Sequence, residues 1–410
     1  MFYFGILTLF MVLIIIKILN SAVNQSIATF GGILDTIPPR FYLRHTQISF
    51  STQWLPDVIC PKITRLNPDL INLHWFYNNH LRIETIAKLG RPTIWTLHDM
   101  WAFTGGCHYD QNCGRYVDSC GACPQLKSDN NCDLSRWIWQ RKSQAWKNIP
   151  LTIITPSKWL AECARSSSLF RNLPIEVIPN GVDLQRFKPV DRQLVRSLLN
   201  LPQNKQLILF GAVKATSDRR KGFYLLKLLK AALQNLCQSQ WQENLELVIV
   251  GASQPDKQTD LGFKTHYLGK LSDDISLAQV YAAADIFVAP SLQDNLPNTV
   301  VDAIACGTPS VAFKIGGMPE IIEHQQNGYL AQPFEVKDLA QGIAWVLENK
   351  ERHDQLSQRA REKAEQEFTQ ELQARRYVFL YTNILERKKV GGVRFVDTRI
   401  LWGTKSIEPI

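Results

Sequence analysis

The sequence predicts an α/β protein in which parallel sheets are flanked by helices and arranged in two domains. From Asp69 onward, short apolar runs of strand character alternate with longer amphipathic segments. The stretch from Asp285 to Phe313 is the clearest case, because an apolar run, a helix and a second apolar run follow one another there. A length of 410 residues is long for one core and suits two domains of ordinary size.

The excess of basic residues favours an anionic partner. Lysine and arginine number 46 against 37 aspartate and glutamate residues, which gives a net charge of +9. This balance suits a nucleotide sugar, an anionic membrane face or a nucleic acid, and it does not choose among them. A hydrophobic fraction of 45% and a charged fraction of 20% are typical of a globular protein.

Residues 1–19 form an apolar leader. The run from Met1 to Ile16 is closed by Lys17 and is shorter than the roughly 20 residues that span a bilayer comfortably. It lacks a basic start and a small-residue cleavage site, so a buried first element, a mis-started reading frame and a membrane anchor are the alternatives. An anchor with Lys17 on its C-terminal flank would keep the protein in the cytoplasm, at the inner face of the membrane.

Two predicted strands of the first domain each end near a histidine. Leu70–Trp75 and Thr93–Asp99 are the strands, and His80–Gly90 is a helix between them. His74 and His98 would lie at the carboxyl ends of neighbouring strands, where open sheets place ligand-contacting groups. A structural role for each histidine is the alternative.

Residues 104–133 form a cysteine-rich loop with little apolar content. Such a loop needs a cross-link or a bound metal to stabilise it. Cys107, Cys113, Cys120 and Cys123 can supply four thiolates to a tetrahedral metal, for which zinc is the natural candidate. Free or disulfide-linked thiols are the alternative, and thiol redox chemistry is a third.

The rest of the first domain continues the α/β alternation. Leu134–Lys147 carries tryptophans among basic residues, which indicates an amphipathic helix packed on the sheet. Stacking on nucleic-acid bases and contact with a membrane or an acceptor are the alternatives. Leu151–Ser157 predicts a strand, Lys158–Ser166 a helix, and Ile175–Asp183 a strand that ends in a turn.

The second domain, expected at residues 186–370, begins with the strand Gln206–Val213 and its turn at Gly211. A cluster of cations follows: Arg219, Arg220 and Lys221. Cations after a first strand suit the neutralisation of a departing diphosphate, and solvated surface charge is the alternative. A strand at Leu245–Ser253, a short strand from His266 and a helix that ends at Ala284 are predicted next.

Two aspartates lie in the crossover between Asp285 and Phe313. Asp294 falls in the loop after the first apolar run, and Asp302 falls one to two turns into the helix. The helix start points unpaired N–H groups into the crevice where such sheets bind ligands, so a diphosphate fits there. Each carboxylate can accept paired hydrogen bonds from sugar or ribose hydroxyls, although loop and first-turn aspartates are commonly capping residues.

The C-terminal part completes the second domain and adds a long helix. Gly316-Gly317-Met318 opens another helix, and Asn327-Gly328 is a turn into the last strand. Glu351 to Lys389 reads as one long, charged helix whose end is residues 371–390. Residues 391–410 form a tail that we expect to be disordered.

Three motifs resemble family 4 retaining glycosyltransferases of the GT-B fold. The first is Pro-Ser, two acids eight positions apart and Ala-Ile-Ala-Cys-Gly-Thr-Pro-Ser-Val-Ala, where that family usually has two glutamates. The second is Ile-Pro-Asn-Gly-Val-Asp-x3-Phe-x-Pro, which resembles the hinge between its domains and implies that the first domain spans residues 20–185. The third, Gly-Gly-Cys-His-Tyr through Cys-Pro-Gln-Leu, is similar to the loop of bacterial exopolysaccharide glycosyltransferases of the colanic-acid type.

The resemblance implies a nucleoside diphosphate sugar as donor and a saccharide or lipid-linked acceptor. It assigns the transferred sugar to Asp294 and His98, the ribose to Asp302 and the diphosphate to Lys221. Ala212 stands where the family has an arginine, so that role is expected of Arg219, Arg220 or Lys214. The remaining expected donor-binding residues are Gly211, Gly251, Leu271, Asn295 and Leu296.

The resemblance also implies retention of configuration by same-face attack, with no metal needed for the chemistry. The family's first domain normally opens with a strand and a glycine-rich loop, and residues 1–60 show neither. A catalytically impaired donor-binding relative or a membrane-associated scaffold is therefore the competing hypothesis, and a nucleotide-sugar epimerase is another. Nucleic-acid binding rests only on charge and tryptophans, and we predict none.

Overall fold

The computed structural model describes residues 34–42, 49–55, 57, 59–75, 81–211, 218–236, 244–252 and 261–390. Two parallel sheets organise these residues. The strands, in chain order, are β1 Ile71–Leu73, β2 Thr93–Thr96, β3 Leu151–Thr155, β4 Ile175–Val177, β5 Gln206–Gly211, β6 Leu245–Val250, β7 Lys264–Tyr267, β8 Ile286–Ala289, β9 Ser310–Phe313 and β10 Gly328–Ala331.

Helices follow most of the strands. They are α1 Ile37–Arg40, α2 Ile59–Leu66, α3 Ile83–Ala87, α4 Leu134–Ala145, α5 Lys158–Ser166, α6 Arg192–Leu198, α7 Leu225–Leu236, α8 Asp274–Ala283, α9 Asn298–Ala305, α10 Met318–Ile321, α11 Val336–Leu347, α12 Lys350–Glu367 and α13 Gln370–Val390. Short 3-10 turns lie at Trp101–Phe103, Arg115–Val117, Pro124–Leu126 and Arg219–Lys221.

Every strand pair in both sheets is parallel, which confirms the α/β prediction. The first sheet has the order β1-β2-β3-β4, and the second has the order β10-β9-β8-β5-β6-β7. All six residues of β6 are buried, because helices cover both faces of a parallel sheet. The carboxyl ends of the strands in each sheet therefore gather at one edge.

The last helix crosses back to the first domain, as the resemblance to the GT-B fold implies. Ile94 and Ile154 of the first sheet are fully buried together with Ile178, and Leu380 and Ile384 of α13 pack against them. The far end of the chain thus covers one face of the sheet built by its beginning.

The long C-terminal helix predicted at residues 351–389 is in fact two helices, α12 and α13. The chain leaves helical geometry at Phe368, which has φ −121 and ψ 28 and is only 2% exposed. The Val182 N–H donates to the Phe368 carbonyl at 2.7 Å, and the Gln370 N–H donates to the Val182 carbonyl at 3.3 Å. This pairing with the segment that leaves the first domain takes the backbone groups that a continuous helix would use.

Several sequence predictions lie outside the described residues. They concern the leader at residues 1–19, the tail at residues 391–410, and Ala212 and Lys214 after β5. Within the described parts of the chain, no helix is both long and apolar enough to cross a membrane.

Candidate active site

The predicted site loop joins β8 to α9 at the carboxyl edge of the second sheet. Pro297 stands immediately before α9 with φ −68, and Gly307 lies just beyond its end in the left-handed region at φ +71. Proline suits the start of a helix, and glycine suits the left-handed geometry just beyond its end. Ser291, Asp294 and Asn295 in the loop are buried, so the loop is a packed element with fixed side chains.

Asp294 in this loop is buried and forms an ion pair with the partly buried Lys221. Lys221 Nζ lies 2.6 Å from Asp294 Oδ2, and the Ser291 hydroxyl donates to the same oxygen at 3.2 Å. Burial alone would raise the pKa of Asp294, but attraction to Lys221 and Arg220 outweighs it and leaves that pKa lowered. The pair places a cation at the position where the sequence predicts a diphosphate ligand.

Arg220 completes the charged group. Its Nη1 lies 3.3 Å from Asp294 Oδ1 and donates to the Gln293 carbonyl at 2.9 Å, and its Nη2 lies 3.1 Å from Asp218 Oδ2. Arg220 and Lys221 belong to one 3-10 turn. Asp218 caps the start of this turn, because its side chain accepts the Arg220 N–H at 3.0 Å. We call Asp294, Lys221 and Arg220 the charge cluster.

Asn295 links the charge cluster to the first domain. Its side-chain NH₂ donates to the His98 carbonyl at 3.2 Å, and its Oδ1 accepts from the Ser157 hydroxyl at 2.5 Å. Glu320 adds a second link, because its carboxylate accepts the backbone N–H groups of Lys158 and Trp159 at 2.8 and 3.1 Å. The start of α5 in one domain is thereby held by a carboxylate of the other.

His98 pairs with His74, as their predicted positions at neighbouring strand ends suggest. His74 Nδ1 lies 3.2 Å from His98 Nε2, and the two rings stack with centroids 5.5 Å apart. Burial lowers the pKa of both imidazoles, that of His74 to about 4, so both rings are neutral at physiological pH.

The cysteine-rich loop also reaches the charge cluster, a contact that sequence reasoning missed. The Arg220 guanidinium lies 4.4 Å from the centroid of the Tyr109 ring. Gln293 donates from Nε2 to Asp110 Oδ1 at 2.7 Å and accepts the Gln111 N–H at 3.0 Å. We call the contacts of Tyr109, Asp110 and Gln111 with the second domain the loop clasp.

Asp302 lies in α9 and has no hydrogen-bond donor among the described residues. Burial raises the pKa of its carboxyl to about 8, and the nearby Asp274 adds to the shift. A largely buried carboxyl without a partner is a group that a ligand hydroxyl can satisfy.

The structure also locates the other predicted donor-binding residues. Arg219 is exposed, with its guanidinium 5.5 Å from the Tyr224 ring centroid, and it takes no part in the charge cluster. Gly211 ends β5, and Gly251 follows β6 with φ +91. Leu296 is buried in the core beside the site loop, and Leu271 packs against the same core. Their predicted contacts with a donor stay predictions.

The four cysteines of the loop do not form a metal-binding group in this structure. Across the described ranges, no cluster of three or more histidine, cysteine or acidic residues is placed to hold a metal ion. Cys107, Cys113, Cys120 and Cys123 are free thiols, and the Cys120 sulfur accepts the Gly105 N–H at 3.1 Å. Burial raises the pKa of Cys120 to about 12, which disfavours the thiolate that a metal needs. Zinc binding itself stays an untested prediction.

A hydrogen-bonded chain of Ser51, His108 and Asp99 supports the base of the same loop. His108 Nε2 lies 2.9 Å from Ser51 Oγ, and its Nδ1 lies 2.8 Å from Asp99 Oδ2. Hydrolase triads share this order of groups, but each of the three residues here is only 7% exposed. The Ser51 N–H also donates to the Gly106 carbonyl at 2.9 Å. These hydrogen bonds fasten the base of the loop to the segment that follows β2.

The arrangement is suited to holding an anion between two domains. Two cations stand beside the carboxyl edge of the second sheet, and a histidine pair of the first domain borders them through Asn295. Preorganised cations of this kind stabilise negative charge that develops on a leaving group.

Two family models match most of the chain. The model described as Glycosyltransferase Family 4 matches residues 30–186, and the model described as Glycosyl transferases group 1 matches residues 197–363. A D-inositol 3-phosphate glycosyltransferase from Segniliparus rotundus is 29% identical over 190 residues, which are 43% of this chain and 40% of that protein. The chain spans about half the length of the curated relatives it matches.

Solved structures share the same architecture. Sucrose-phosphate synthase from Thermosynechococcus elongatus has a TM-score of 0.59 and 21% identity, with 80% of this chain and 76% of that chain covered. HepE from Anabaena, solved in complex with UDP, has a TM-score of 0.57 and 21% identity, with 79% and 82% covered. At these identities the likeness concerns the fold, and it confirms the predicted GT-B arrangement of two parallel-sheet domains.

Proposed function

Because the chain belongs to glycosyltransferase family 4 and has the GT-B fold, we propose that it transfers a sugar from a nucleoside diphosphate sugar to an acceptor. The proposed acceptor is a saccharide or a lipid-linked saccharide, and the proposed setting is the synthesis of an exopolysaccharide or cell-surface polysaccharide. The resemblance of the cysteine-rich loop to that of colanic-acid-type enzymes supports this setting.

The observation that carries the proposal is the charge cluster. Lys221 and Arg220 are held by Asp294 at 2.6 and 3.3 Å, next to the loop that leads into α9. A departing diphosphate gains negative charge as its bond to the sugar breaks, and fixed cations lower the free energy of that state. The cluster therefore suits the leaving-group end of the reaction.

We propose that transfer proceeds with retention. The acceptor hydroxyl attacks the anomeric carbon from the face that the diphosphate leaves, and the bond from that carbon to the phosphate oxygen breaks with its electron pair. The leaving phosphate then takes the acceptor's proton. In this scheme Lys221 and Arg220 stabilise the diphosphate, while Asp294 keeps both cations in place.

A binding and turnover experiment tests the proposal. UDP and UDP-glucose are the first probes, because the structurally similar HepE was solved with UDP and with UDP-glucose. GDP and other nucleotide sugars complete the panel, and release of nucleotide with and without saccharide acceptors is measured.

Lys221→Ala is the diagnostic variant in this experiment. Loss of a partly buried cation next to the diphosphate should weaken UDP binding by at least about tenfold, the equivalent of about 1.4 kcal/mol. Lys350→Ala removes an exposed lysine of a surface ion pair and serves as the control. A wild-type protein that binds no nucleotide on the panel, or equal binding by Lys221→Ala, would overturn the proposal.

The same assay separates the competing hypotheses. Nucleotide binding without turnover on any acceptor identifies a donor-binding scaffold. A changed sugar without consumption of acceptor identifies an epimerase. An NMR measurement of the anomeric configuration in the product decides between retention and inversion.

We further propose that the protein works in the cytoplasm, at the inner face of the membrane, through residues 1–19. The apolar sequence of that leader supports this idea. Fractionation of cells that express the full chain, beside a chain that begins at residue 20, tests it. Equal recovery of both chains in the membrane fraction would contradict a role for the leader.

A further inference from the structure

The histidine pair contains one residue to which the predicted chemistry gives no role. His98 is the predicted sugar contact, whereas His74 follows β1 and belongs to no motif of the family resemblance. Their strands are neighbours in parallel register, with Leu73 paired to Trp95, so both histidines emerge at the same edge of the sheet. The 3.2 Å contact between His74 Nδ1 and His98 Nε2 is the only hydrogen bond of the His98 ring within the described residues.

This contact determines what the other nitrogen of His98 can do. A neutral imidazole has one N–H donor and one acceptor nitrogen, and both rings are neutral because burial disfavours the cation. If His74 donates, His98 carries its proton on Nδ1; if His74 accepts, the His98 proton is on Nε2 and Nδ1 is an acceptor. His98 Nδ1 is thus left for a ligand, with a hydrogen-bonding character set by His74.

His74 is itself held by the fold. The ring of Tyr377 in α13 lies 6.5 Å from the His74 ring, and the Tyr377 hydroxyl lies 3.0 Å from Thr96 Oγ1. Thr96 in turn donates to Asn72 Oδ1 at 3.1 Å, and Asn72 donates to the Tyr381 hydroxyl at 2.6 Å. Thr96 and Asn72 precede His98 and His74 by two positions each, so a second polar layer lies directly behind the histidine pair.

The pair borders the charge cluster. Asn295 donates to the His98 carbonyl at 3.2 Å, and the Asn295 N–H donates to Asp294 Oδ1 at the same distance. A sugar attached to a diphosphate in the charge cluster would therefore lie within reach of residues beside His98. Orientation of a contacting group to within a fraction of an ångström is what such a reaction requires.

We propose that His74 is a positioning residue of the sugar transfer, which holds the His98 ring in one orientation and one tautomer so that Nδ1 meets the transferred sugar. This inference rests on the proposed function. In this proposal His74 does not contact the substrate. The ends of β1 and β2 and the helix α13, which surround His74, then help to orient the donor sugar.

Three variants of His74 test the inference. His74→Asn keeps a short amide near the place of Nδ1, so it can still donate or accept. His74→Phe keeps a ring and removes the hydrogen bond. His74→Phe combined with His98→Gln shows whether the two positions act as a unit.

The expected kinetic result is a separation of kcat from binding. With UDP-glucose, or with whichever donor of the panel is turned over, His74→Phe should lower kcat at least about tenfold and change the Kd for UDP less than about twofold. His74→Asn should retain most of the wild-type kcat. The double variant should be no slower than His98→Gln alone, and an additive effect would overturn the inference.

A spectroscopic readout is independent of turnover. Imidazole ¹⁵N chemical shifts distinguish the two neutral tautomers, and His98→Gln identifies the His98 signals by their loss. We expect one tautomer in the wild type and in His74→Asn, and a mixture in His74→Phe. An unchanged His98 signal in His74→Phe would refute the inference, whereas a wild type that turns over no nucleotide sugar would refute the proposed function and leave this comparison valid.

Discussion

At the scale of single residues, Asp294 is fully engaged by protein groups. Its Oδ1 is close to Arg220 at 3.3 Å and accepts the Asn295 N–H at 3.2 Å, while its Oδ2 accepts from Lys221 at 2.6 Å and from Ser291 at 3.2 Å. A carboxylate with so many partners acts first as the counter-ion of two cations.

Asp294→Asn should therefore destabilise the free protein and make nucleotide binding more stabilising. Removal of the charge leaves the partly buried Lys221 and Arg220 beside a neutral amide, at a cost of about 1–3 kcal/mol. A bound diphosphate supplies the missing negative charge. Thermal unfolding should show a lower Tm without UDP and a larger UDP-dependent rise than in the wild type.

Asp294→Glu is the control for this experiment, because it restores the charge with one extra methylene. An equal rise in Tm on UDP addition for the wild type and Asp294→Asn would show that the carboxylate does not balance the two cations.

The raised pKa of Asp302 predicts that the affinity for UDP depends on pH. Its pKa is raised to about 8 by burial, so the free protein carries a protonated, neutral carboxyl below that pH. A ribose that donates two hydrogen bonds favours the ionised carboxylate, so binding releases a proton and tightens as pH rises toward 8. The affinity for UDP should increase by up to about tenfold per pH unit there.

Calorimetry in two buffers of different ionisation enthalpy measures that proton release directly. In Asp302→Asn the release and the slope above pH 7 should disappear, apart from the titration of UDP itself. Parallel curves for the wild type and the variant would remove Asp302 from the ribose site.

At the scale of elements, the loop clasp makes part of the cysteine-rich loop a wall of the site. Gln293 Nε2 donates to Asp110 at 2.7 Å, and Tyr109 packs over Arg220 with 4.4 Å between guanidinium carbon and ring centroid. Ser51, His108 and Asp99 fasten the base of the loop to the first domain. The loop is therefore anchored in one domain and contacts the charged residues of the other.

Gln293→Glu tests the clasp without a change of size. The new carboxylate would face Asp110, and the repulsion should raise the KM for the donor several-fold and lower the Tm by a few degrees. Asp110→Asn in the same chain restores a donor and an acceptor, so the double variant should recover most of the loss. If both variants and the wild type have the same KM, the clasp contributes nothing to donor binding.

Local patterns explain why much of the element structure was predictable. The sequence predicts a helix at Lys158–Ser166, and the structure has it with the same bounds; the Ser157 side chain, which accepts the Leu160 N–H, caps its start. The loop clasp had no such signal. Gln111 and Gln293 are 182 positions apart, and a polar pair across two domains leaves no periodicity in either segment.

The break between α12 and α13 shows the same limit. The charged, helical pattern continues through Phe368, so sequence periodicity predicts one helix there. The competing partner is Val182, which comes from the far end of the first domain and takes the backbone groups of residues 368 and 370. Tertiary pairing overrode a local propensity that was itself correct on either side.

At the scale of the whole molecule, the two domains are joined by two chain segments that lie side by side. The chain leaves the first domain at Val182 and returns toward it at Thr369. These two residues form a parallel bridge. Gly181 fits against this crossing because a Cβ there would lie 2.7 Å from Gln370 Cα. Hydrogen bonds from Asn295 and Glu320 then hold the facing surfaces together.

Gly181→Ala should push the two crossing segments apart. The added methyl meets backbone atoms that cannot turn away, and we expect a loss of about 1–3 kcal/mol in the free energy of unfolding. Denaturant titration measures this loss, and Gly114→Ala, where an added Cβ meets nothing within 4 Å, is the comparison. The comparison variant should lose only the cost of its left-handed φ of +67. Equal losses in both would show that the crossing is not closely packed.

The return of α13 to the first sheet also bears on how the chain is made. The first domain is synthesised before the second, yet Ile94 and Ile154 of that domain are covered by Leu380 and Ile384, which follow the second domain in the chain. The sheet that is made first is thus covered only after the second domain has been synthesised. Premature termination would yield a second domain with its sheet complete beside a first sheet that lacks its cover, a natural substrate for chaperones and proteases.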